Sequence, residues 1–234
     1  MYIAQYLYLS LRPSYIFALT VCVRASLLPK KEKVMKNKKV RMITGTAMLT
    51  AVAVALQYIE ISIPIMPSFI KLDFSDLPEL IGAFAYGPLA GVLIAFLKNL
   101  IHLAVSQSGF VGELSNFLLG ASFALAAGLI YKKKKTKKNA LVAGVAGAVV
   151  MAAVSLPLNY FIIYPLYYSI LGFPEEAILQ MYQLLLPSVK SIFQALIIFN
   201  VPFTFVKALI SAVVTMIIYK PISPLLKGKA EATK

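Results

Sequence analysis

The sequence predicts an all-α membrane protein of six transmembrane helices with both termini cytoplasmic. Three observations lead there. First, 60% of the 234 residues are hydrophobic and the mean hydropathy is +0.81, above the roughly 45–50% apolar content of soluble domains. Second, the apolar residues form continuous runs, several of about 18 residues or more, the length that crosses a bilayer core; a barrel would need many short alternating segments instead. Third, the net charge of +14 is clustered. Most of the 23 Lys and Arg fall in residues 12–41, in 132–138 ("KKKKTKK") and in 220–234, where the acids are only Glu32 and Glu231. Basic clusters flanking apolar spans follow the positive-inside rule. That distribution argues against nucleic acid as a partner.

The first span is residues 42–59, "MITGTAMLTAVAVALQYI". A polar, proline-containing stretch follows over 60–76. Residues 77–105 allow one helix or two, and Gly87-Pro88 is a breaker signal near their middle. Two crossings with a tight turn there put all three basic clusters on one side. The short second helix must then start within 69–76 or be shielded by protein. Residues 113–131, 140–164 and 191–219 supply the remaining spans. The exterior receives 60–76, 106–112 and 165–190; the first and last of these carry Glu60, Asp73, Asp76, Glu175 and Glu176. They are long, aromatic and rich in proline, as loops that pack onto something are. The domain reading is a basic, dispensable or disordered extension over 1–39, a transmembrane substrate-binding domain over 40–220, and a cytoplasmic tail over 221–234.

Polar groups inside the spans point to a site. In "FNVPFTFVKALI" (199–210), Asn200, Thr204 and Lys207 are spaced i, i+4, i+7 and share one helix face. Lys207 lies 12 residues from Tyr219, about 18 Å along a helix, and so near mid-membrane. A cation there costs about 2.5–3.5 kcal/mol or more, so its amine must point into the bundle, either as a bridge between helices or as part of a ligand site. Pro202 removes a backbone hydrogen bond and kinks the helix beside this face. "SLPLNYFIIYP" sets Ser155, Asn159 and Tyr160 around Pro157. Glu113 and Asn116 sit at the outer mouth of the fourth helix. Lys98 and His102 are i, i+4 on the third, and Lys98 suits either an interfacial, snorkelling role or the site.

The polarity gathers in the outer half, and the inner halves are almost bare. That describes a cavity open to the exterior rather than a pore, which needs polar lining throughout. Amides, hydroxyls and amines beside Phe161, Tyr164, Tyr167, Tyr168, Phe203 and Phe205 suit a neutral or weakly anionic ring compound bearing hydroxyls. One Cys and one His exclude an internal disulfide framework and a Cys/His metal cage. With no paired mid-membrane carboxylates expected either, an intramembrane enzyme is disfavoured. There is no phosphate-binding loop, so transport energy has to come from other chains. Ala47, Ala51 and Ala55 form a small-residue stripe on the first helix, suited either to internal packing or to a partner helix.

Four stretches carry a resemblance: "KLDFSDLPELIGAFAYGPLAGVLIAFLKNLIHL" (71–103), "GELSNFLLG" (112–120), "LPLNYF" (156–161) and "PFTFVKALI" (202–210). In order and spacing, over roughly 40–220, they resemble the riboflavin-specific S components, RibU type, of energy-coupling factor (ECF) vitamin transporters. The resemblance implies an S-component bundle in the cell membrane, with a riboflavin site near the outer face and the loop between the first two helices as a lid. It implies riboflavin as transported ligand, no cofactor, and partnership with a transmembrane coupling protein and two ABC-type ATPases through Ala47, Ala51 and Ala55. By motif position Asn159 and Lys207 hold the ring edge. Thr204 stands where the family's pattern has Asn, and Asn200 is placed to compensate. Asn116 and Lys98 are assigned to the ribityl end. An S component for another vitamin, or a ligand-free scaffold, are the alternatives.

Overall fold

The structure, a computed structural model, describes residues 38–106 and 108–227. The extension expected over 1–39 therefore lies outside the described residues except at its last two positions. Helix α1 is Lys38–Gln57, and a two-stranded antiparallel ribbon follows: β1 (Ile61–Ser62) against β2 (Lys71–Leu72), with Ile61 opposite Leu72. Helix α2 (Asp76–Tyr86) begins with Asp76 and Glu79 in its first turn, where the helix dipole favours negative charge. It ends at Gly87, whose φ of 111° few other residues adopt. Pro88 opens α3 (Pro88–His102), the position at which its missing N–H costs nothing. The expected break at Gly87-Pro88 is thus a true helix boundary.

Helix α4 is Val111–Lys133. Thr136 caps the next helix by accepting from the Asn139 N–H at 3.2 Å. That helix, α5, is continuous over Lys137–Ile170, and a short outer helix, α6 (Glu175–Leu185), follows. The final helix, α7, starts at Ile192 behind a Ser191 cap and runs to Lys227, past residue 221, where the tail was expected to begin.

Both α5 and α7 contain one π turn, at Asn159–Ile163 and Leu196–Asn200. In each case a proline stands two residues beyond the turn, Pro165 and Pro202. A proline ring collides with the carbonyl four residues earlier, here Phe161 and Ile198, in the middle of each turn. The wider turn moves that carbonyl aside and closes with an i+5 bond instead, Tyr164 N–H to Asn159 O and Val201 N–H to Leu196 O. π turns recur at functional sites, and each of these two carries an asparagine.

Among the described residues, five helices are long and apolar enough to cross a membrane: α1, α3 with its 3₁₀ extension to Val105, α4, α5 and α7. Helix α2 has 11 residues, about 16 Å, and survives by burial, since everything from Asp76 to Phe84 is covered. At one end of the bundle the rings of Phe84, Tyr131 and Tyr219 meet, with centroids 4.3 to 6.2 Å apart, and the Tyr86 hydroxyl donates to Leu226 O at 3.2 Å. The C-terminal ends of α2, α4 and α7 therefore coincide there. The ribbon, the α3–α4 connection and α6 crown the opposite end.

Candidate functional site

A cavity of about 540 Å³ opens beneath the ribbon, between α4, α5 and α7. That volume lies within the 300–1,000 Å³ usual for small-molecule sites. Residues 58–73 supply its cover, including Tyr58, Ser68, Phe69 and Asp73. Leu119, Met151, Ile163 and Phe203 supply apolar wall.

Of the six residues expected at the site, five line the cavity: Asn116, Asn159, Asn200, Thr204 and Lys207. Their surroundings divide them. Asn159 and Thr204 are both 6% exposed, and neither side chain has a hydrogen-bond partner among the described residues. The same is true of the half-buried Asn116. Their polar atoms open onto the cavity rather than being sealed inside protein, so these three are poised to bond something in it. Asn200 is instead engaged in a closed ring. The Tyr182 hydroxyl donates to its Oδ1 at 2.6 Å, its Nδ2 donates to the Tyr164 hydroxyl at 3.2 Å, and the two hydroxyls bond each other. Burial pushes the Tyr182 hydroxyl well above its usual range, so it remains a donor.

Lys207 lines the cavity from α7, where the cover meets the bundle. Its Nζ is 2.9 Å from Asp73 Oδ2 and 3.3 Å from Asp76 Oδ2. Asp76 passes the charge on: its Oδ1 is 3.4 Å from Lys98 Nζ, which is 2.7 Å from Glu79 Oε1. Ser75 binds both ends of the chain, its N–H donating to Asp73 Oδ1 at 2.8 Å and its hydroxyl bonding Asp73 and Lys98. Lys98 and Glu79 are fully buried. Burial alone would raise the Asp73 pKa, but Lys207 and Lys98 together hold it well below the usual carboxylate range. Lys98, the sixth expected residue, thus stands behind the cavity wall, spent on carboxylates.

The acids are what the sequence reading missed. It set Asp73 and Asp76 in an exterior loop, and it expected no carboxylates paired inside the bundle. Asp76 and Glu79 are in fact buried together, each against a lysine. The available signal was their spacing, 73, 76 and 79, at the head of an apolar span, because two lysines buried in lipid-facing helices need counter-charges. The close approach also depends on α4: a Cβ at Gly120 would lie 2.4 Å from Glu79 Oε2.

At the mouth, Glu113 accepts from Ser106 and Ser108 hydroxyls at 2.8 and 3.0 Å and bonds His102 Nδ1 at 2.9 Å, which ties the α3–α4 connection to α4. The aromatic lining is Tyr58, Phe69, Tyr164, Tyr167, Phe173 and Phe203. Phe161, expected nearby, points outward instead and is 71% exposed. Ala47, Ala51 and Ala55 are all exposed on the outer face of α1.

Residues 41–219 match the family model described as ECF transporter, substrate-specific component. The chain is 36% identical over 198 residues to the riboflavin transporter RibU of Staphylococcus aureus (strain TCH60), covering 85% of this chain and 97% of that one. It is 28% identical over 197 residues to the riboflavin transporter FmnP of Bacillus subtilis (strain 168), covering 83% and 98%. Among solved structures, one described as "Structure and mechanism of the S component of a bacterial ECF transporter" superposes with a TM-score of 0.64 at 32% identity, over 81% of this chain and 99% of that chain.

Proposed function

Since the chain belongs to the substrate-specific components of ECF transporters, we infer how it uses the cavity beneath its ribbon. It is a multi-pass membrane protein and a transport subunit, not an enzyme. Riboflavin is its ligand, bound as cargo rather than as a cofactor. One observation carries the site assignment: Asn159, Thr204 and Asn116 line the cavity beside its aromatic rings and have no side-chain hydrogen-bond partner among the described residues. A flavin ring stacks on aromatics, and its edge both donates and accepts, as amides do. Asn159, Thr204 and Lys207 take the ring edge. Asn116, nearer the mouth, takes ribityl hydroxyls. Asn200 contributes by holding Tyr164 and Tyr182 in place.

The bundle crosses the membrane six times with both termini cytoplasmic, α2 crossing as a short helix wrapped in protein. The shared end of α2, α4 and α7, next to the lysines of 132–138, supports that orientation, because basic loops remain on the cytoplasmic side. The cavity then faces outward. ATP-driven release falls to a coupling protein and two ABC-type ATPases, met through the exposed Ala47, Ala51 and Ala55 of α1. Residues 40–220 form the binding unit.

Titration of the detergent-purified chain with riboflavin tests this, followed by quenching of flavin fluorescence. Saturable one-to-one quenching is expected. Emission that stays unquenched up to micromolar protein removes the riboflavin assignment.

A further inference from the structure

We propose that Asp73 is a positioning residue that couples closure of the cavity's cover to ligand capture, through an ammonium it shares with the ligand. The inference rests on the reading of the cavity as the riboflavin site. The cover is residues 58–73, which residues 74 and 75 join to α2. Its ribbon is stapled by the Lys71–Glu60 ion pair beside the Ser62–Lys71 register. Two anchors hold it to the bundle. Phe69 inserts among Tyr164, Tyr167 and Tyr182, with centroids 6.4, 5.7 and 6.4 Å away. Asp73 reaches Lys207 on α7 at 2.9 Å.

The second anchor differs from the first because Lys207 also faces the cavity. An ammonium has three donors and no acceptor. Asp73 takes one at 2.9 Å, Asp76 stands at 3.3 Å, and the third is left for a ligand. The Asp73 carboxylate cannot turn freely, because its other oxygen accepts from the Ser75 N–H at 2.8 Å. Asp73 therefore sets the direction in which Lys207 points. If the cover lifts, the ammonium loses that partner and turns toward Asp76. The ligand then loses an oriented donor at the moment its exit opens. By linkage the converse holds: a ligand that orients Lys207 for Asp73 strengthens the closure of the cover. Asp76 stays on Lys207 whether the cover is open or shut, because it belongs to α2 and not to the cover.

The test uses the full chain in lipid nanodiscs, with riboflavin as the probe. Stopped-flow fluorescence gives association and dissociation rates, and hydrogen exchange follows residues 58–75. In Asp73→Asn, dissociation should accelerate by about 10-fold or more, with association changed much less. Exchange over 58–75 should be faster even with riboflavin bound. Asp73→Glu, which keeps the charge, should dissociate more slowly than Asp73→Asn. A residue that merely supported the fold would move the melting temperature without this split between rates. In the unmodified chain, saturating riboflavin should slow exchange over 58–75. Unchanged exchange there overturns the coupling without any variant being needed. Dissociation from Asp73→Asn within about twofold of the unmodified chain overturns it as well, and leaves the riboflavin site standing. An unmodified chain that binds no riboflavin removes both.

Discussion

The ammonium of Lys207 lies 2.9 Å from the carboxylate of Asp73, 134 positions earlier in the chain. The pair joins the last helix to the segment that covers the cavity, and Asp76 extends it to Lys98 and Glu79. Three acids and two lysines are thereby buried together. Breaking one such pair by deleting a partner typically costs about 3–5 kcal/mol, because a charge is left buried and uncompensated.

Lys207→Ala removes both a ligand donor and the counter-charge of Asp73. Riboflavin affinity should fall by two orders of magnitude or so, with a lower melting temperature. Fluorescence quenching measures the first. A dissociation constant equal to that of the unmodified protein refutes the role of Lys207 in the cavity.

Asn159→Ala should behave differently. Its side chain has no hydrogen-bond partner among the described residues, so the ligand-free protein loses little. Binding should weaken by about 10-fold, the scale of one hydrogen bond in a buried site. A fall in apo stability with unchanged affinity would show that Asn159 serves the fold instead.

Lys98→Met is expected to damage the fold more than the site. It leaves Glu79 and Asp76 short of charge compensation and should destabilise by about 3–5 kcal/mol. The affinity of the folded fraction should drop less than in Lys207→Ala. Thermal melts in detergent beside a riboflavin titration make the comparison, and a loss of affinity as large as that of Lys207→Ala counts against it.

Gly120→Ala places a methyl 2.4 Å from Glu79 Oε2. Displacing that carboxylate from Lys98 should cost about 1–3 kcal/mol. A melting temperature unchanged from the parent would mean that α2 and α4 have room to separate.

Ala51→Leu enlarges the exposed stripe of α1 without touching the cavity. Riboflavin binding should be preserved while ATP-dependent uptake, reconstituted in vesicles with the coupling and ATPase subunits, is lost. Equal uptake defeats the assignment of this face to a partner.

Much of the architecture was legible from residue order alone. Apolar runs long enough for a bilayer must become helices, since lipid offers no partner for backbone polar groups. Gly87-Pro88 carried its own boundary, because glycine reaches positive φ and proline suits a first helical position. The polar face of Asn200, Thr204 and Lys207 followed from helical periodicity, and all three line the cavity.

What lay beyond the sequence is how partners distant along the chain meet. The spacing of Lys98 and Lys207 gave no reason to treat one as structural and the other as ligand-facing. Only tertiary packing distinguishes them: α2, lying between α3 and α7, brings Glu79 to the first, and the cover brings Asp73 to the second. Asn200 and Asn159 likewise look alike in their helices. The tyrosine hydroxyls that occupy Asn200 come from Tyr164 and Tyr182, 36 and 18 positions away. Local order along the chain determines which residues share a helix face, because helical geometry is short-ranged. Which of those residues remain unpaired for a ligand is decided by tertiary contact, because a buried charge or amide takes its partner from whichever helix folds against it.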